Sequence, residues 1–257
     1  MPKKKKTKKK SLRPRERQIL HLAKNGIVTV DIVHRCFSPK GNIEAARSTL
    51  RRMVELGYLT SEPLDAQRVY YRLTPRGARL IAASRKYAQP LKRQGKIERY
   101  AVTWFVHADQ PGQRVLLNPT DYPDRFPVAG HRLPRRPFFL DRSDGRSRLG
   151  VLFVDHNAHY RRMSHKTVAV LGRFLRHGWF DTFIRQDVFA VVILTFSPHR
   201  KQTFEKHVSR AIADQLGYPL SLLRPELAGA VPSLVHVHVI PELESMITQS
   251  QKENPKR

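Results

Sequence analysis

The chain has 257 residues, a single cysteine, and 48 Lys plus Arg against 21 Asp plus Glu, for a formal net charge of +27. One cysteine excludes an intrachain disulfide framework. No apolar run reaches the roughly 18 residues of a membrane-spanning helix, and the N-terminus lacks the apolar stretch of a secretory signal. What these features leave is a basic cytoplasmic protein with room for two domains of about 100 to 200 residues and a charge suited to a polyanionic partner.

Residues 1–10 carry seven lysines and no acid. A run of that kind repels itself and has nothing to bury, so residues 1–12 are expected to form a disordered basic tail. Near a duplex, Lys3, Lys4, Lys5 and Lys6 would add salt-sensitive affinity by displacing counterions from phosphates.

The stretch from Arg15 to Ala83 reads as a winged helix-turn-helix, within a domain taken as residues 13–86. Arg15–Lys24 places Ile19, Leu20, Leu22 and Ala23 on one side and is stopped by Asn25-Gly26. Thr29 is a natural cap for a helix over Val30–Phe37, where Val30, Val33 and Phe37 recur at helical spacing. Ser38-Pro39-Lys40-Gly41 is a turn. Asn42 then caps a third helix from Ile43 to Leu56, with Ala46, Leu50, Met53 and Val54 inward and Glu44, Arg47, Ser48, Arg51 and Arg52 outward. An arginine-rich outer face suits a recognition helix, because guanidinium groups bond both to phosphate and bidentately to guanine. The wing is a hairpin, Leu59–Glu62 and Arg68–Leu73 around Pro63-Leu64-Asp65-Ala66. Gln67, Arg68 and Arg72 are its candidate contacts to the DNA backbone or minor groove. Thr74-Pro75 opens a further helix from Arg76 to Arg85.

Residues 87–98 are polar and basic and contain Pro90 and Gly95, and read as a linker. Residues 99–250 read as an α/β domain, followed by a short tail over 251–257. Tyr100–His107 (YAVTWFVH) is expected to be a strand, and Val115–Leu117 another. Phe138–Leu140 and Leu149–Val154 flank a loop rich in Asp, Ser and Gly with the chemistry of a hairpin. A helix is expected from Ser164 to His177. Phe189–Phe196 (FAVVILTF) is an unbroken apolar run that suits a strand buried on both faces. Ser197-Pro198 caps a helix from His199 to Leu216, Ser233–Ile240 is a last strand, and a short helix ends the chain. Hairpin, helix, buried strand, helix and strand make a mixed sheet with helices packed on it.

Several short motifs together resemble a known family. They are Tyr71-Arg-Leu-Thr-Pro-Arg-Gly77 at the wing, the hairpin strand ending in Asp155, the helix bearing Lys166, and the core strand running into Arg200. The chain is similar to the replication-relaxation proteins of plasmids and other mobile elements. The resemblance implies duplex DNA as partner, with plasmid replication or transfer proteins and a homodimer as further partners. It also implies a second domain of restriction-endonuclease-like type.

Nucleases of that fold hold Mg²⁺ between two carboxylates, with a lysine near the attacking water. Here Asn157 stands where the lysine belongs, and the first acid is missing at Arg136-Pro137-Phe138. Asp141 and Asp144 read as turn formers. A scaffold that has lost its chemistry is the expectation, with no catalytic residue and no cofactor. Asp155, His156 and Lys166 are the candidates, with Mg²⁺, if the chain is instead a nuclease.

Two histidine groupings bear on metal binding. His236 and His238 share one face of a predicted strand, a pattern resembling the metal-binding strand of HUH relaxases, although a half-exposed strand with alternating polar residues is the simpler and favoured reading. His156, His159 and His165 flank Asp155. No phosphate-binding glycine loop, zinc-finger cysteine pattern or nucleophile elbow is present. The expected function is a DNA-binding replication, relaxation, transfer or regulatory factor. The alternatives are a metal-dependent nuclease or relaxase, and a winged-helix transcriptional regulator whose second domain dimerises or senses a ligand.

Overall fold

The structure, a computed structural model, describes residues 12–117, 136–178, 180–217, 231–240 and 242–252. The lysine tail with Lys3, Lys4, Lys5 and Lys6, the segment 118–135 and the last five residues lie outside the described residues. The chain is mixed α and β and divides into two compact units. The first comprises residues up to 63 together with 68–90, and the second comprises 64–67 and the chain from Leu91 onward.

The first unit begins with α1 (Pro14–Asn25), which has proline at its first position and Glu16 accepting the Arg13 N–H at 2.8 Å. This return contact satisfies a donor that a helix start leaves unpaired. Helix α2 (Val30–Phe37) is capped by Thr29, whose hydroxyl accepts the Ile32 N–H at 3.3 Å. Helix α3 (Ile43–Glu55) is capped by Asn42 through Glu44 N–H at 2.8 Å. Strands β1 (Leu59–Pro63) and β2 (Val69–Leu73) pair antiparallel with Leu59 opposite Leu73, and Tyr71 N–H also donates to Val28 at 2.8 Å. Ile19, Leu20, Ile27, Ile32, Leu50, Met53 and Leu73 are fully buried and form the core that these elements enclose.

Helix α4 (Pro75–Leu80), capped by Thr74, is shorter than the expected 76–85. Ala82 turns into the left-handed region at φ 51°, and the chain resumes as a 3₁₀ turn over Arg85–Ala88.

The second unit corrects two expectations at its start. Residues 93–98, read as linker, are the first turns of α5 (Arg93–Thr103), and Tyr100–His107 is not a strand. The helix continues into a wider π-turn segment, Trp104–Asp109, and every side chain from Tyr100 to Val106 is buried. An eight-residue apolar run has no period of its own. It becomes a helix here because the flanking Arg93–Arg99 is helical and the segment is enclosed on all sides.

Five strands form one sheet in the order β3 (Arg114–Leu116), β4 (Phe138–Asp141), β5 (Arg148–Val154), β6 (Phe189–Thr195) and β7 (Val235–Val239). The first three pair antiparallel and the last three parallel. Helices α6 (Tyr160–His177) and α7 (Asp181–Arg185) connect β5 to β6, and α8 (Pro198–Ile212) connects β6 to β7. Helix α9 (Leu243–Lys252) follows β7. All seven residues of β6 are buried, as a strand covered on both faces requires. Val151, Phe153, Val191, Ile193 and Val237 share a core with Val168, Leu171 and Phe174 of α6 and Phe204 and Val208 of α8. Phe139, on the opposite face, packs edge-on against Phe105 with ring centres 5.1 Å apart.

Burial lowers the His107 pKa from 6.5 to about 4. The unfolded chain therefore takes up a proton near pH 6.5 that the native unit refuses until about pH 4, and acid favours unfolding between those values. The second unit should lose stability steadily over that window, and His107→Gln should flatten the dependence in denaturant titrations at successive pH values. An unchanged slope would remove His107 from the account.

Candidate nucleic-acid interface

Fifteen basic and five acidic side chains lie in residues 12–63 and 68–90. Helix α3 concentrates part of that excess on one stripe. Ala46, Leu50 and Met53 face the core, which turns Arg47, Ser48 and Arg51 outward, all three exposed. Arg47 is ion-paired with Glu44 one turn earlier on the same exposed face. Such an exposed pair contributes little to stability. His34 in α2 contacts the Gly41 carbonyl at 2.8 Å and braces the turn between α2 and α3, which leaves Lys40 exposed at its tip.

Three of the residues expected to face DNA are occupied otherwise. Asn42 spends its side-chain oxygen on the start of α3. Arg52 is not on the outer stripe, because one helical step of about 100° from Arg51 turns it toward α1. There it pairs with Glu16, whose side chain is only 3% exposed. Arg72 of β2 pairs with Glu62 of β1 at 2.5 Å and donates to the Ala88 carbonyl, so it ties the hairpin to the segment after α4. At the hairpin turn, Leu64 and Asp65 are buried, and the Gln67 N–H donates to Asp65 at 3.0 Å. The Gln67 side chain is exposed and Arg68 is half-buried. Sequence reasoning passed over Arg17, Lys40 and Arg76. Arg76 stacks 4.9 Å above the Tyr58 ring, and its only signal was the Pro75-Arg76-Gly77 step.

The second unit rearranges the nuclease candidates. Asp155, at the end of β5, is fully buried and accepts four hydrogen bonds. Oδ2 takes the Thr195 hydroxyl at 2.9 Å and Arg200 Nε at 2.6 Å, and Oδ1 takes Arg200 Nη2 at 2.9 Å and the Ala158 N–H at 3.2 Å. A carboxylate has about four lone-pair sites, and all are used, so this one holds the chain rather than a cation. Asn157 adopts φ 62°, a left-handed conformation that asparagine tolerates better than lysine, and its Oδ1 accepts from Arg200 Nη1 at 2.9 Å. Asp141 behaves as the turn former expected, accepting the Ser143 N–H at 2.9 Å, and also pairs with Arg114 at 2.9 Å. Those bonds and the Arg114 charge outweigh its burial and lower its pKa.

The histidine grouping around Asp155 separates. His156 and His159 line one cavity beside Lys166, whereas His165 turns to Gln215 at 2.5 Å. His236 and His238 do share a face of β7, with His236 exposed. Burial, and then Arg148 for His236, hold their pKa values below the ordinary range. His238 lies edge-on to Phe105 and 3.7 Å from Asp109. Asp109 itself pairs with Arg114 at 2.7 Å. Among the described residues no three His, Cys, Asp or Glu side chains gather as a metal-binding group, and no helix is long and apolar enough to cross a membrane.

Comparison of the chain with protein-family models, with curated proteins and with solved structures gives no match.

Proposed function

We propose that the first unit is a winged helix-turn-helix and that the chain is a cytoplasmic DNA-binding protein. On this reading it acts on plasmid or mobile-element DNA as a replication, relaxation, transfer or regulatory factor. The observation that carries the reading is the exposed Arg47, Ser48 and Arg51 stripe on the second helix of a helix-turn-helix pair, followed by a β-hairpin. That order of elements sets α3 to enter a major groove, with Arg47 and Arg51 reaching base edges or phosphates and the lysine tail adding sequence-independent attraction. The second unit is read as a restriction-endonuclease-like scaffold without its chemistry. The saturated bonding of Asp155 favours that over a nuclease.

The neighbours Arg51 and Arg52 make the sharpest test. Arg51→Ala should weaken binding to a preferred sequence by about 1–3 kcal/mol, read by gel shift at two salt concentrations. Arg52→Ala should instead destabilise the first unit by about 1–3 kcal/mol, because Glu16 loses its charged donor, while the folded protein keeps its affinity. Equal loss of affinity from both would show that the stripe is drawn wrongly. Incubation with supercoiled plasmid and Mg²⁺ or Mn²⁺ separates the alternatives. Nicking abolished by Asp155→Ala or His236→Ala would make the protein a nuclease or relaxase, whereas footprinting at its own promoter would make it a regulator.

A further inference from the structure

At the carboxyl end of β5 the second unit forms a cavity of about 370 Å³ that opens to solvent. Its polar lining is Arg136, His156, His159, Arg162, Lys166 and Thr167, with Phe153 and Met163 among its apolar walls and no carboxylate in the lining. Three permanent cations converge on one space. Basic side chains lining one concave, partly open site raise the local concentration of anions there.

The cavity also receives the N-terminus of α6, an 18-residue helix. His159 stands at the cap position without a side-chain cap bond, and the first turn contains no acid. The leading N–H groups of a helix have no intrahelical acceptors, and their combined dipole favours an anion. A second observation, independent of the helix end, comes from two buried polar groups. Thr167 is completely buried, yet its hydroxyl makes no hydrogen bond among the described residues. Thr49 of α3 shows the usual alternative, donating to the carbonyl four residues earlier. The Nδ1 of His156 is likewise out of solvent and unpartnered. Each costs free energy as it stands, and each belongs to a residue of the cavity lining.

The loop that forms one side of the cavity is rigidly held. Arg200 grips Asp155, the Asn157 side chain and the Ala158 carbonyl at 2.6–3.0 Å, and Ala158 lies in the lining. Arg136, also in the lining, lies over the Phe153 ring at 4.9 Å. Crevices outside the carboxyl ends of parallel strands are where open α/β sheets take ligands.

We infer that this cavity binds a phosphomonoester group of a nucleotide-sized ligand, with Arg136, Arg162, Lys166, Thr167 and the α6 N-terminus on the phosphate. The apolar walls take the organic part. The volume is several times that of a bare phosphate and lies near the lower limit of small-molecule sites. The phosphate arrives either on a free nucleotide or at the 5′ end of a nucleic acid strand. The inference does not rest on the DNA-reading role of α3.

The experiment is calorimetric titration of the full chain with inorganic phosphate, thymidine 5′-monophosphate, and trithymidylate with and without a 5′-phosphate. A trinucleotide is too short to engage a recognition helix, so failure here leaves the DNA reading of the first unit untouched. The expected result is saturable one-to-one binding of the monophosphate, weakened about tenfold or more by Arg162→Ala with Lys166→Ala, both exposed side chains. Thr167→Val, which keeps the shape and removes the hydroxyl, should weaken it less. The control is Arg161→Ala with Arg173→Ala, which removes the same charge from α6 outside the cavity lining and should leave binding intact. Tighter binding of the mononucleotide than of the phosphorylated trimer identifies a free nucleotide, and preference for the phosphorylated trimer identifies a strand end. Absence of saturable binding, or equal loss in the control variant, overturns the inference.

Discussion

Replacing Arg200 by alanine should cost the second unit about 3–5 kcal/mol, the range seen when one partner of a buried ion pair is removed. Arg200 is 8% exposed and Asp155 is fully buried. The guanidinium meets the carboxylate through two bonds and also holds Asn157 and the Ala158 carbonyl. Its flat face lies 4.3 Å from the centre of the Tyr160 ring and 4.6 Å from that of Phe196. Alanine would leave a buried negative charge with only the Thr195 hydroxyl and the Ala158 N–H as donors. Lysine should recover only part of the loss, because an ammonium cannot reproduce the planar fork. Both tryptophans, Trp104 and Trp179, belong to the second unit's sequence, so denaturant unfolding followed by tryptophan fluorescence reads that unit. A loss below about 1 kcal/mol for Arg200→Ala would mean that water or a rearranged loop satisfies Asp155, and the bracing role would be withdrawn.

The second large effect belongs to Gly77→Ala in the first unit. A Cβ at Gly77 would lie well inside contact distance of the Tyr58 carbonyl oxygen, and 3.0 and 3.3 Å from the Tyr58 carbonyl carbon and Cα. None of those atoms can swing aside, because they are backbone. The same carbonyl accepts the Thr74 N–H at 3.0 Å, a bond that fixes the entry to α4. The methyl would push α4 away from the corner between α3 and β1, at a cost of about 3 kcal/mol. Cys36 provides the readout. It is the sole cysteine, half-buried in α2, and burial pushes its thiol up to about 12, so its alkylation near neutral pH is slow in the folded unit and speeds up when the unit opens. Gly77→Ala should raise the alkylation rate by about a hundredfold, and an unchanged rate would show that the corner absorbs the methyl.

These two sites show what could be read from the chain and what could not. Local signals were legible. Thr29, Asn42, Thr74 and Ser197 all cap the helices that follow them, and Phe189–Thr195 is the buried strand, flanked on both sides, that its unbroken apolar character indicated. YAVTWFVH has nearly the same composition and became a helix, because enclosure by tertiary neighbours decided between two states that its pattern left equal. The exposed face of α3 was legible to within one helical step. Arg47, Ser48 and Arg51 are exposed, but Arg52 and Arg72 find acidic partners whose positions depend on how the elements pack. The same limit applied to Asp155. Its local setting resembled a nuclease strand end, and its partner lies on another helix, far along the chain. The cationic cavity was hidden for this reason too, since Arg136, His156 and Lys166 come from a strand approach, a loop and a helix face.

The register of the larger sheet also bears on how the molecule acquires its structure. In the first unit, β1 and β2 set Leu59 opposite Leu73, a closure of about a dozen residues, and the helices before them form from near neighbours. The second unit must align Val151 with Val191 and Val191 with Val235, so each parallel step closes about forty residues of chain before its ladder stabilises anything. Synthesis delivers the first unit complete while β6 and β7 are still missing. For that interval β5 has β4 on one edge but nothing on the edge that β6 will take, the inner face of α6 lacks part of its core, and this is the stage at which the protein is most exposed to self-association.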